Sequence, residues 1–119
     1  MATPIFDKYG GFGTVSKVVL EFYDRVGDSD ILAPYFANAD MRTLVDHQTK
    51  FVASLMGGPI SYSDETIRRV HAHLAITEAA FEEMRSILEE TLEDFDFAEA
   101  DVKAVIREIT LRKALIVAT

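Results

Sequence analysis

The chain contains no cysteine and no tryptophan. The first absence rules out disulfides, thiolate metal sites and cysteine nucleophiles, but it leaves the compartment open, since a cysteine-free chain works in any redox environment. The second leaves little protein absorbance near 280 nm, so a visible chromophore would dominate the spectrum. Positive charge is also scarce: 12 Lys and Arg stand against 20 Asp and Glu, a net charge of −8. Neutralising a phosphate backbone needs clustered cations, so nucleic acid is not an expected partner. No apolar run reaches the roughly 18 residues of a membrane span. The N-terminal Met1-Ala2-Thr3-Pro4-Ile5 lacks a basic stretch followed by an apolar one, so no signal peptide is evident and a cytoplasmic location is the default expectation.

What is present suits one domain over residues 1–119, with 49% hydrophobic residues and eight Phe to fill a core. The apolar spacing is helical nearly throughout. After Gly10-Gly11 and Gly13, Thr14 or Ser16 is expected to cap a helix to about Val26, with Val15, Val18, Val19, Phe22 and Val26 on one face. Gly27-Asp28-Ser29-Asp30 breaks it, and a short helix or turn from Ile31 to Phe36 kinks near Pro34. Asp40 caps a helix from Met41 to about Met56, which Gly57-Gly58-Pro59 stops. After a loop over 60–65, a short helix spans about Asp64 to Leu74. Thr77 starts the next, with the stripe Phe81, Met84, Ile87, Leu88 and Leu92 ending near Phe95. A last helix runs from about Ala98 to Val117, with a broad stripe of Val102, Val105, Ile106, Ile109, Leu111, Lys113, Leu115 and Ile116. No strand alternation persists, so the class is all-α.

Two of these stripes carry polar groups. One face of the 64–74 segment holds Ile67, Val70, His71 and Leu74, and one face of the 41–56 segment holds Leu44, His47, Gln48, Phe51 and Leu55. Facing each other, they enclose an apolar slot with one imidazole on one wall and hydrogen-bonding groups on the other. A flat metal-bearing cofactor needs that arrangement. A lone histidine on an apolar face is, by itself, more often a satisfied core residue. His73, two residues on, points away towards Arg69 and is the competing ligand candidate. Arg68 and Arg69 read either as solvated surface charge or as partners for an anionic group at the slot's mouth.

Several pieces stand in an order that resembles the truncated, two-over-two haemoglobins, most closely their first, N-type group. They are Ile5-Phe6-Asp7-Lys8-Tyr9-Gly10-Gly11, Glu21-Phe22-Tyr23-Asp24-Arg25-Val26, Pro34-Tyr35-Phe36, Asp40-Met41 leading to His47-Gln48 and Phe51, Gly57-Gly58-Pro59 with Tyr62, Val70-His71, and Ile76-Thr77 ahead of Phe81. The resemblance covers nearly the whole chain. It implies a truncated globin-like two-over-two helical sandwich around haem b. His71 is then the proximal iron ligand, Tyr23 the distal tyrosine beside Phe22, and Gln48 its distal hydrogen-bonding partner. Phe36 and Phe51 pack against the haem, Leu44 stands where some relatives place a polar distal residue, and Ile76 and Phe81 lie against the cofactor. His47 matches the position from which some relatives supply a sixth, internal iron ligand. The last helix has no histidine, so covalent haem attachment of the kind some members make from that helix is unavailable.

The implied function is binding of diatomic gases (oxygen, nitric oxide, carbon monoxide). Nitric oxide dioxygenation with an external electron-donating reductase is a possible enzymatic use, and a monomer or weak dimer is expected. Two other classes stay open on the residues alone: a gas-sensor domain of a longer signalling protein, suggested by the apolar ending Leu115-Ile116-Val117, and a haem-free helical interaction module in which His71 is only structural.

Overall fold

A computed structural model of the chain describes residues 3–117 and contains no strand among them. The helix ends follow local capping chemistry. After the single-turn helix α1 (Ile5–Lys8), α2 (Phe12–Gly27) begins earlier than expected. Its N-terminus is set not by Thr14 or Ser16 but by Gly11, whose φ of 68° is open to glycine at little cost, and the Thr14 hydroxyl donates instead to the Tyr9 carbonyl. The 31–36 segment forms a 3-10 turn only over Ala33–Phe36, with Pro34 in its first turn. Helix α3 (Met41–Leu55) starts as expected, with the Asp40 carboxylate accepting from the Arg42 and Thr43 amides. At its end, a side chain on Gly58 would place Cβ 2.9 Å from the Ala53 carbonyl oxygen and 3.0 Å from the Phe6 ring, so glycine lets α1 and α3 approach.

Ser63 caps α4 (Asp64–His71), which tightens into a 3-10 turn over Ala72–Leu74 and ends at Ala75 in the left-handed region, φ 51°. Thr77 caps α5 (Glu78–Asp94) through the Ala80 amide at 3.1 Å, as expected. The expected single C-terminal helix is two, α6 (Glu99–Leu111) and α7 (Lys113–Ile116). At Arg112 the amide bonds to the Ile109 carbonyl in a tight turn, and the guanidinium takes the Glu108 carbonyl at 2.6 Å and its carboxylate at 3.0 Å. The break swings α7 so that the Lys113 ammonium reaches Glu78 at 2.5 Å and Glu82 at 3.4 Å while Ile116 is buried. Leu111 leaves the expected stripe and is 69% exposed.

Helices α2 and α3 pack as one pair and α5 and α6 as the other, with α2 across α5 and α3 against α6: a two-over-two sandwich. The stripe Val15, Val18, Val19, Phe22 and Val26 is buried, as expected, and meets Leu88, Leu92, Val105 and Ile109 in the core. Helix α4 packs mainly on α7 instead of on either pair. Among the described residues no helix is long and apolar enough to cross a membrane.

Candidate functional site

Because α4 stands off from the sandwich, a cleft of about 520 Å³ opens between α3 and α4. It continues inward into a chamber of about 160 Å³ that reaches α2, α5 and α6. Leu44, Gln48, Phe51, His71 and Leu74 line both parts. Of the side chains lining the chamber only Tyr23, Gln48 and His71 are polar. They come from three helices, α2, α3 and α4.

The Tyr23 ring is held edge-on by Phe22 at 4.9 Å and Phe36 at 5.5 Å between centroids. Burial alone pushes its hydroxyl above the ordinary tyrosine range, so it remains a protonated donor. Neither that hydroxyl nor the Gln48 amide is hydrogen-bonded among the described residues, and both residues line the chamber, where they are free to meet a ligand. At the end of α4, the His71 Nδ1 lies 2.7 Å from the Ile67 carbonyl oxygen, one turn back. A carbonyl only accepts, so Nδ1 carries the proton and the lone pair of the neutral ring is on Nε2. Metal-ligating histidines are oriented by this kind of outer bond.

The other residues singled out in the sequence fall into two sets. Phe22, Phe36 and Ile76 line the chamber; Leu44 and Phe51 line both parts; His47, exposed, lines only the outer cleft. Phe81, Arg68 and Arg69 line neither. Phe81 is 1% exposed in the core, with the Lys113 ammonium 5.8 Å above its ring, and Met84, one turn on, takes the chamber wall. The cation at the mouth is Lys50, 3.4 Å from Asp46, with Tyr62 and Thr66 nearby in the lining. Sequence spacing held the clue: Lys50 lies one turn beyond His47, and Thr66 one turn before Val70. The side chain of His73 lies outside the described residues.

The pocket fits haem. It is a mostly apolar cavity whose lining includes one imidazole oriented by an outer hydrogen bond and the donors of Tyr23 and Gln48. Among the described residues no group of three or more His, Asp or Glu could hold a bare metal ion. The family model described as bacterial-like globin matches residues 4–117. The chain belongs to the bacterial-like globin family. Its relatives include the group 1 truncated hemoglobin GlbN of Nostoc sp. (strain MUN 8820), 28% identical over 112 residues that cover 94% of this chain and 95% of that one. The group 1 truncated hemoglobin of Tetrahymena pyriformis is 26% identical over 105 residues, 88% of this chain and 87% of that one. The Fe(III) crystal structure of truncated hemoglobin from Tetrahymena pyriformis superposes with a TM-score of 0.88 at 23% identity, covering 98% of this chain and all of that one (100%). The 2/2 hemoglobin from Synechococcus sp. PCC 7002, in the cyanomet state with covalently attached heme, gives 0.84 at 21% identity over 96% and 98% of the two chains. The resemblance read from the sequence motifs and the two-over-two fold are thus both found. Family membership makes this a haem protein that binds gas.

Proposed function

We propose that this globin holds haem b through His71 and binds oxygen, nitric oxide and carbon monoxide beside Tyr23 and Gln48. The observation that carries the reading is the convergence of these three polar side chains in an otherwise apolar chamber. The b type is favoured because the chain has no cysteine for thioether attachment and no histidine in its last helices. Bound haem would supply an iron atom able to take up a diatomic gas.

The protein's part is orientation and polarity. The Nδ1–H bond to Ile67 fixes the His71 ring so that Nε2 is the ligating atom. Tyr23 stays protonated and donates, with its ring locked between Phe22 and Phe36. Gln48 supplies an amide donor, while Leu44 and Phe51 keep water from the same wall. Donors aimed at a bound gas favour the ligand that gathers negative charge, which is oxygen over carbon monoxide. That preference suits nitric oxide removal: nitric oxide and oxygen combine with one electron to give nitrate, NO + O2 + e− → NO3−. The electron comes from an external reductase, and a cytoplasmic monomer fits such a supply.

Ferric and dithionite-reduced visible spectra after reconstitution with haem b test the first half. An intense visible band with a reversible carbon monoxide shift is expected. A protein that took up no haem would leave the helical interaction module as the better reading. Nitric oxide consumption by the oxygenated protein, with nitrate as product, tests the second half.

A further inference from the structure

We infer that Tyr35 is a positioning residue whose hydroxyl ties together two segments of the chamber wall, those of Phe36 and Ile76, and holds the loop after His71 in its left-handed turn. The inference rests on the haem-site reading for its consequence but not for its geometry. Tyr35 sits in the 3-10 turn Ala33–Phe36, whose last residue lines the chamber. Its hydroxyl donates to the Ala75 carbonyl and accepts from the Thr77 amide, both at 3.4 Å. These are long bonds, yet they span some 40 residues of sequence, with separations of 40 and 42. No other hydrogen bond among the described residues links that turn to the 75–77 loop.

Both ends of the clasp lead into the site. Phe36, next to Tyr35, is the ring that packs edge-on against Tyr23. On the far side, Ala75 directly follows the turn that prolongs α4 beyond His71, and the next residue, Ile76, lines the chamber. Ala75 is held at φ 51°, ψ 44° without being glycine. Alanine visits that region at a cost that glycine does not incur. Such a conformation persists only where surrounding contacts impose it. The Tyr35 hydroxyl, bonded to the Ala75 carbonyl and the Thr77 amide on either side of Ile76, is the contact in place to do so. The turn itself is braced: Ser29 Oγ accepts from the Leu32 amide at 3.2 Å and donates to Glu83 at 2.8 Å. Tyr35 therefore pulls against a fixed point.

The test uses Tyr35→Phe, which keeps the ring and removes only the hydroxyl, alone and combined with Ala75→Gly. In the haem-free protein, hydrogen exchange at the Thr77 amide should speed up in Tyr35→Phe while the amide of Val105 in the core stays protected. In the haem-loaded protein, haem release to an acceptor globin should accelerate about two- to tenfold, the worth of a modest hydrogen bond. Adding Ala75→Gly should return most of that loss, because glycine keeps the left-handed turn unaided. General destabilisation would not be rescued in this way. Unchanged Thr77 exchange overturns the clasp, and unchanged haem release overturns its consequence for the site. A double variant as leaky as Tyr35→Phe alone overturns the claim that Tyr35 acts through Ala75. If the wild type took up no haem, the haem reading would fall while the exchange measurement still decided the clasp.

Discussion

Helices α2 and α4 carry stripes of the same period, and the protein treats them in opposite ways. On α2, Val15, Val18, Val19, Phe22 and Val26 are all buried by α3 and α5. On α4 only Ile67 is buried; Val70 is 49% exposed and His71 half-buried, and Leu74, in the turn that prolongs the helix, is 36% exposed. An amphipathic face that the fold leaves open is expensive in water unless something other than protein covers it. The difference teaches that α2 is written for the core and α4 for a ligand. A change on α2's side should therefore appear in stability, and a change on α4's side in haem.

The sharpest break of that comparison is His71→Ala. We expect stable haem binding to be lost, or a five-coordinate site that added imidazole restores, while the melting of the haem-free protein shifts by no more than about 1 kcal/mol, the worth of its hydrogen bond to Ile67. A haem spectrum unchanged in His71→Ala but lost in His73→Ala would move the ligand two residues along. The converse experiment is Phe81→Ala. The resemblance put Phe81 against the cofactor, yet it is 1% exposed on the core side of α5. Truncating it should cost about 3–5 kcal/mol in the haem-free and haem-loaded protein alike. A loss confined to the loaded form would return Phe81 to the cofactor wall.

Tyr23 tests the boundary between the two regions, since it sits on α2, the core helix, but faces the chamber. Tyr23→Phe should speed oxygen dissociation about ten- to a hundredfold, as expected for one hydrogen bond of roughly 1.5–3 kcal/mol to a charged acceptor. Carbon monoxide, less polar when bound, should respond weakly. Equal acceleration of both gases, measured by stopped flow, would make Tyr23 a packing residue like its neighbours on α2.

Much of this division is legible in the sequence because helical periodicity and capping are local. Asp40, Ser63 and Thr77 each start a helix with their own side chain. What periodicity cannot tell is which stripes meet. The slot between the α3 and α4 stripes is legible only through the polar groups they carry, His71 and Gln48; nothing in Val70 or Leu74 says how much of that face stays open. The break at Arg112 was equally illegible. It depends on Glu108 one turn before it and on Lys113 reaching Glu78 and Glu82 from another helix. Thr14 failed as a cap for a related reason: a glycine at positive φ had already turned the chain. At the cleft's mouth the lining includes Lys50 from the edge of α3, a cation that adjacency to His71 does not suggest as it does Arg68 and Arg69.

The smallest expected effect concerns His47, which belongs to neither region cleanly. It lies on α3 one turn after Leu44 and one before Phe51, lines the outer cleft, and is exposed. No other strong ligand competes on that wall: Leu44 offers none, and a neutral tyrosine or amide binds ferrous iron poorly. We expect the gas-free protein to be partly six-coordinate and low-spin, with His47 and His71 as the axial pair. Internal ligation reduces apparent gas affinity by the fraction of sites it closes. His47→Leu should then shift the ferric and ferrous spectra towards high spin and remove a slow phase from carbon monoxide rebinding. The haem-free melt should not move, because an exposed rim residue contributes little to the fold. A purely five-coordinate ferrous spectrum, identical in wild type and His47→Leu, would make His47 part of the rim and leave Tyr23 and Gln48 as the sole polar groups opposite His71.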